Sequence, residues 1–502
     1  MFSYTFNQLL TWKRTFNDHT FDVLLGHEYY DYENNYLEAS RGNLMDGIIE
    51  LRPGTDLKSA DSYSNKYRIQ SILSRFNYDY KGKYYLSASW RTDGSSRFHK
   101  DNRWGNFWSI GGNWRVTEES FMENFDWLDN LSVKASYGVQ GNDNLGTYCA
   151  WDAYYNLSWA NAGSVGAMAT SLQNKNVTWE KNGNFNMGFD ARVLNGRLDV
   201  NFEYFYRKTT DMLLNYPMAL STGFDGYNAN VGSMKNTGIE VAVTGALIRN
   251  KNFSWNARLM ASTTKNKVLK LTETDEIISG IFSIKKGKPL RTFYMAKAAG
   301  VDPATGTQLY WAYEKLDEKG KPVNEYITSD YTKAVNSKYY QGSRMPNVYG
   351  SFSTDLSYKG FDLSIMTTYS LGGKIFDGLY SGSMNVQYVG DTWNKHTLRR
   401  WQKPGDITDV PRVELNGKYA TNNRSLVNAS YFALKNITLG YTIPKQYVKR
   451  AGIEKLRVSL TADNLALFTH LDGMDPQFSF SGSTDYSYAP NRVISFGVDI
   501  NF

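Results

Sequence analysis

The chain ends on residues 492–502, RVISFGVDINF, in unbroken alternation: Ile494, Phe496, Val498, Ile500 and Phe502 fall on one side, Ser495, Gly497, Asp499 and Asn501 on the other. Successive side chains of a strand point to opposite faces, so a period of two in hydrophobicity predicts a β-strand with one apolar and one polar face. The remainder of the chain has to say what the apolar face meets.

The same pattern recurs upstream. In LSVKASYGVQ, Leu131, Val133, Ala135, Tyr137 and Val139 oppose Ser132, Lys134, Ser136 and Gln140. In RLDVNFEYFYRK, Leu198, Val200, Phe202, Tyr204 and Tyr206 oppose Asp199, Asn201, Glu203 and Arg207. GIEVAVTG sets Ile239, Val241 and Val243 against Glu240 and Thr244, and LRVSLTAD sets Leu456, Val458, Leu460 and Ala462 against Arg457, Ser459, Thr461 and Asp463. Strands of soluble sandwiches average about 5–6 residues, and several segments here are far longer. Composition agrees with an all-β reading: Pro is scarce at 11 residues, Gly reaches 42 and aromatics 15%, and strand interiors reject Pro while sheets favour aromatics.

No run of about eighteen apolar residues is present, so no transmembrane helix is expected. The mean hydropathy of −0.51 does not exclude a membrane barrel, whose strands need only ~9–11 residues alternating between lipid and lumen. The net charge of +7 is dispersed along the chain, and no basic cluster or nucleic-acid module is found. Cys149 is the single cysteine, so an intrachain disulfide is excluded.

Connections alternate between short and long. Lys81-Gly82, Asn195-Gly196, Asn250-Lys251-Asn252 and Lys359-Gly360 read as tight turns, being residue types that tolerate φ > 0 or start turns. Long polar and aromatic stretches cover about 41–65, 141–175, 271–290, 310–345, 371–427 and 467–490. Short turns at one rim and long loops at the other are the mark of an outer-membrane barrel. The fold class is therefore all-β, an antiparallel transmembrane β-barrel over residues 1–502 with short periplasmic turns and long extracellular loops, its apolar sets facing lipid. Counting spanning segments gives roughly sixteen or seventeen, against about 22 in large plugged transporters. The terminal alternation, Ile494 to Phe502, fits the signal that outer-membrane barrels present to their insertion machinery.

Residues 87–122, SASWRTDGSSRFHKDNRWGNFWSIGGNWRVTEESFM, resemble the barrel signature of the SusC/RagA family of TonB-linked outer-membrane transporters. So do GKPLRTFYMAKAAGVDPATGTQLYW (287–311), SYKGFDLSIMTTYSLGGKIFDG (357–378) and residues 429–477, whose LKNITLGYTIP, ADNLALFT and GMDPQ elements keep the family's order and spacing. The resemblance covers nearly the whole chain. It implies an outer-membrane location in a Bacteroidetes-type bacterium and import of oligosaccharides or peptides. The implied partners are a SusD-like lipoprotein that captures substrate and a TonB complex that supplies energy through an N-terminal part. Family members begin with a signal peptide and carry a plug, whereas MFSYTFNQLLTWKRTF already alternates like a barrel strand, so the chain reads as the C-terminal, plugless part of such a barrel.

Chemistry motifs are sparse. His19, His27, His99, His396 and His470 are scattered without zinc spacing, no carboxylate pair stands out for glycoside hydrolysis, and calcium loops are not in evidence. No enzyme activity, metal or cofactor is expected. Loop aromatics are the candidates for substrate contact, because flat rings stack on sugar or peptide groups: Trp151, Tyr154, Tyr155, Trp159, Trp311, Trp393 and Trp401. The alternative role for such rings is the interfacial girdle of a barrel. Two other functions remain open on the residues alone: a soluble or surface-attached glycan-binding or glycan-hydrolysing β-protein, and a passive porin.

Overall fold

The computed structural model describes residues 1–502 apart from 162, 273, 319, 386–389, 391, 416, 472, 479, 480 and 485–487, and apart from the side chains of 158–161, 220 and 478. Fifteen strands form one antiparallel sheet, numbered β1 to β15 in chain order. They are β1 Phe2–Phe16, β2 His19–Gly42, β3 Asp56–Tyr80, β4 Tyr84–Ser95, β5 Trp104–Arg115, β6 Leu128–Asn142, β7 Glu180–Val193 and β8 Leu198–Thr210. The rest are β9 Ser233–Arg249, β10 Phe253–Lys270, β11 Val348–Tyr358, β12 Phe361–Leu371, β13 Tyr431–Ile443, β14 Lys455–Thr469 and β15 Val493–Asn501. Each strand pairs with the next in the chain, and β1 and β15 stand at the two ends of the order. The chain divides into two compact units, Met1–Met122 with Ser132–Met187 and Tyr206–Met234, and Glu123–Leu131 with Gly188–Phe205 and Lys235–Phe502.

The register shows what alternation accomplishes. In the second unit, Trp255, Leu356, Leu363, Leu439, Leu460 and Phe496 stand opposite one another in turn across β10 to β15. One residue along, the row is Asn256, Asp355, Ser364, Thr438, Thr461 and Ser495. Ser364 donates to Asp355 at 2.6 Å, the Thr438 and Thr461 hydroxyls meet at 3.0 Å, and Arg457 pairs with Asp499 at 3.3 Å and with Asp362 at 2.6 Å. The first unit repeats the pattern. Trp12, Val23, Phe76, Ala88, Ile110 and Tyr137 make one row, and Lys13, Asp22, Asn77, Ser87, Gly111 and Ser136 its neighbour. A slip of one residue between any two strands would put the apolar set of one beside the polar set of the next.

No described residue covers the apolar rows. Phe496 is 72% exposed, and Leu460, Leu439, Trp12, Ile110 and Tyr137 are all exposed. An apolar surface continuous over six strands far exceeds what a soluble protein leaves in water. Aromatic rings gather where this face reaches the short turns: Phe16 against Phe21, His19 against Tyr80, Tyr80 against Tyr84 and Tyr84 against Trp114 in the first unit, with Phe361 on Tyr441 at 4.4 Å in the second. Rings with an apolar body and a polar edge suit a membrane–water boundary.

Because the strands run antiparallel in sequence order, alternate connections within each unit lie at opposite ends of the strands. The ends joined by 17–18, 81–83, 194–197, 250–252 and 359–360 are tight. Lys81 (φ 56), Asn195 (φ 55) and Lys359 (φ 47), each followed by a glycine of positive φ, supply the left-handed backbone that brings two strands back to back. The opposite ends carry the long connections.

Two expectations change. The stretch 41–65 is strand over 41–42 and 56–65, since β2 runs to Gly42 and β3 begins at Asp56; both faces there are polar or exposed, so alternation is lost while pairing persists. The main sheet has fifteen strands rather than sixteen or seventeen, and Thr292–Val301 and Gln308–Leu316 belong to a separate small sheet. Residues 292–296 are buried one after another, which marks a strand packed on both sides and not one facing lipid.

Placing a charge in the apolar row should therefore be costly, and in the polar row cheap. Leu460→Arg is expected to cost about 2–4 kcal/mol in phospholipid vesicles, whereas Thr461→Arg, one residue along, should stay within about 0.5 kcal/mol. Equilibrium urea unfolding of the two variants measures both, and equal costs would contradict the assignment of faces.

Candidate functional site in the long connections

The long connections fold with cores of their own. In the first unit, Phe98, Phe107, Ala150, Val177, Trp179 and Leu213 are buried together. Asp143 ties this cluster to the strands: it accepts from Tyr67 at 3.0 Å and Ser95 at 2.6 Å, and pairs with Arg97 at 3.2 Å. The Arg97 guanidinium in turn lies 4.6 Å from the Tyr67 ring centre.

Trp151, Tyr154 and Tyr155 follow on the 143–179 connection. The Trp151 ring stands edge-on to His99 at 5.2 Å, and Tyr154 donates to the Cys149 carbonyl at 2.8 Å, so both rings help to shape the loop. Tyr155 is open to solvent on the hairpin Tyr155–Asn161/Ser164–Ala169. The side chain of Trp159 lies outside the described residues.

In the second unit a small sheet is made by Glu276–Ser279, Phe282–Lys285, Thr292–Val301, Gln308–Leu316 and Pro322–Thr328, with Lys338–Tyr340 paired to Thr292–Val301. The 372–430 connection packs on it. Phe293, Met295 and Phe376 form one buried cluster, and Ala296, Tyr310, Ala334 and Ala420 another. Burial pushes the Tyr310 hydroxyl up to about 12 while the Ala420 N–H donates to it at 3.1 Å. Trp311 is half-buried with the Lys297 ammonium 5.0 Å from its ring. Trp393 buries an indole N–H that has no hydrogen-bond partner among the described residues.

Trp401 locks the two segments together. Its Nε1 donates to the Pro303 carbonyl at 2.9 Å, and its ring lies over Gly306, where a Cβ would come within 2.4 Å of it. The amides of Gly405 and Arg412 donate to Pro303 and Gly306, at 2.8 and 2.9 Å, which clamps 401–412 onto the turn 302–306.

Between these segments lies a polar cavity of about 580 Å³, lined by side chains that include Tyr380, His396, Arg399, Asp409, Tyr419 and Arg424. Its size is that of a small-ligand site. Asp377 caps the helix Gly378–Ser383, accepting from the Tyr380 N–H at 2.9 Å and so setting the ring against the cavity, where its hydroxyl meets His396 Nδ1 at 3.1 Å. Asn422 caps the short helix Asn423–Ser425 and so positions Arg424, whose Nη1 donates to Gln308 at 2.9 Å. Burial pulls the Arg424 guanidinium down and pushes the Tyr380 and Tyr419 hydroxyls up from their ordinary values. Such a lining can orient a polar ligand by hydrogen bonds. Among the described residues no three metal-ligating side chains come together.

None of Trp311, Trp393 and Trp401 lines this cavity. Arg399, Tyr380, Tyr419 and Arg424, which do, escaped the sequence reading because they lie in irregular segments with no period. The legible signals were the caps, Asp377 before GLYSGS and Asn422 before NRS.

Two consequences can be measured. Gly306 has φ +73, so Gly306→Val both strains the turn and displaces the Trp401 ring; proteolysis within 401–412 should accelerate at least tenfold, and an unchanged digestion pattern would contradict the clamp. The Glu276 carboxylate is partly buried, which alone would raise its pKa, but hydrogen bonds from Ser283, Tyr340 and Lys285 outweigh this and hold it below the usual range. A depressed folded-state value means that its contribution is complete above the ordinary carboxylate pKa of about 4.3 and disappears as pH falls through the folded one. Hydrogen-exchange protection of 276–285 should decline over that acidic window in the native chain and show no such step in Glu276→Gln.

The comparisons with known proteins match the whole architecture. The family described as TonB dependent receptor-like, beta-barrel matches residues 2–465. TonB-dependent receptor P39 of Formosa agariphila is 28% identical over 98% of this chain and 52% of its own length, and TonB-dependent receptor SusC of Bacteroides thetaiotaomicron is 25% identical over 100% and 50%. The solved structure of the RagAB peptide transporter superposes with a TM-score of 0.89 at 29% identity, covering 100% of this chain and 55% of that one. The chain thus spans about half the length of the relatives it matches, and these relatives are receptors and transporters rather than enzymes. The chain belongs to the TonB-dependent receptor β-barrel family, on its SusC/RagA side, and is an outer-membrane β-barrel protein whose apolar rows meet lipid.

Proposed function

We propose that this chain is the barrel part of an energy-coupled importer of oligosaccharides or peptides, working with a SusD-like lipoprotein at the rim of the long connections. The observation that carries the reading is the agreement of the entire fifteen-strand sheet and its folded long connections with the RagAB peptide transporter. In this reading the strands are a scaffold, the long connections of each unit form the outward surface that receives substrate and lipoprotein, and the TonB complex acts through a part of the receptor beyond the strands described above. Substrate contact falls to the loop aromatics Trp151, Tyr154, Tyr155, Trp159, Trp311, Trp393 and Trp401 and to the cavity around Tyr380 and Arg424. Ile494, Phe496, Val498, Ile500 and Phe502 serve as the barrel-assembly signal.

Uptake of a labelled oligosaccharide or peptide by cells carrying the receptor tests this directly. Dissipating the proton-motive force should abolish uptake; a passive pore would keep it. Replacing residues 371–427 by a short Gly/Ser linker should lower co-purification of the lipoprotein at least tenfold while leaving heat-modifiable migration intact, and unchanged capture would count against the docking rim.

A further inference from the structure

We infer that the cavity lined by Tyr380, Tyr419 and Arg424 holds a monoanionic carboxylate through Arg424. This deepens the importer reading and rests on it only for the source of the ligand.

The argument starts from charge. Arg424 is largely enclosed, and one of its nitrogens, Nη1, is engaged by the neutral Gln308 carbonyl at 2.9 Å. Among the described residues no carboxylate lies within ion-pairing distance of it, and Asp409, which acts on it from farther off, is paired with Arg399. The cavity's two acidic residues are already committed: Asp409 pairs with Arg399 at 3.0 Å, and Asp377 accepts from the Tyr380 N–H and the Thr484 hydroxyl. A guanidinium taken out of water without a counter-ion is costly, and a planar carboxylate matches its fork of donors.

The rest of the lining sets hydroxyl and imidazole groups around the same space, from Tyr380, Tyr419 and His396. The lining carries two arginines and two aspartates, so a second negative charge on the ligand would find no second unpaired cation. This favours a carboxylate over a sulfate or phosphate dianion. Two sources share the chemistry, the C-terminus of a peptide with its amide N–H and a uronic acid with its hydroxyls.

Isothermal titration of the purified chain in detergent tests the site with two pairs of probes: a tripeptide against its C-terminal amide, and a glucuronate disaccharide against its methyl ester. At least one free acid should bind, and its neutral counterpart at least tenfold more weakly; which acid binds identifies the source. Arg424→Gln should reduce the acid to the affinity of its neutral counterpart, with heat-modifiable migration preserved. Equal binding of acid and neutral probe, no binding of either acid, or full affinity in a folded Arg424→Gln chain would each overturn the inference. Failure of energy-coupled uptake with carboxylate binding intact would instead count against the importer reading alone.

Discussion

Everything in this protein depends on one constraint: a backbone crossing hydrocarbon has no water to bond, and each unpaired N–H or C=O there costs several kcal/mol. An antiparallel sheet in which every strand pairs with its chain neighbours is one of the few solutions. Pairing neighbour to neighbour fixes the rest. Turns at one end of the strands can be two or three residues, because adjacent strands are 4.7–4.9 Å apart, and the other end is left free for long insertions.

Those insertions face water and need interiors beyond what the sheet offers them. They solve the problem by folding. The buried run at residues 292–296, the Trp401–Gly306 clamp and the hydrogen bonds converging on Glu276 are the interior of a small soluble-type domain carried on a membrane scaffold. The aromatic residues reflect both environments. Rings beside the short turns, such as Tyr84 on Trp114, mark the membrane boundary, while Trp179, Tyr310 and Trp401 are packed into loop cores. An aromatic count alone does not separate the two uses; position relative to the strand register does.

The same division explains where chemistry can reside. Charges on the strands' polar face neutralise one another, Arg457 with Asp499 and Arg192 with Asp199 across neighbouring strands and Arg457 with Asp362 across the intervening β13. In the loop cavity the balance is less complete, and the Arg424 guanidinium lines it with a neutral partner, Gln308, in place of a carboxylate. Recognition belongs where the backbone is free to take irregular shapes, and the sheet is not such a place.

Much of the fold was legible in the residues. The strands from 128 to 142, 198 to 210 and 455 to 469 and the terminal strand announce themselves because a period of two is local, and Lys-Gly or Asn-Gly announces a turn because only neighbouring backbone angles are involved. The apolar rows followed from the same parity once the register was known. What the sequence did not reveal was the fate of segments whose pattern is not periodic: that 56–65 continues as strand, that 292–301 is a core strand of a separate sheet, and that Arg424 and Tyr380, 44 positions apart in the numbering, share one cavity. Local alternation determined which face of each strand is apolar, since side-chain direction is set residue by residue. The site had to wait for the tertiary structure, because it is built from caps, turns and loop contacts between segments that no local rule brings together.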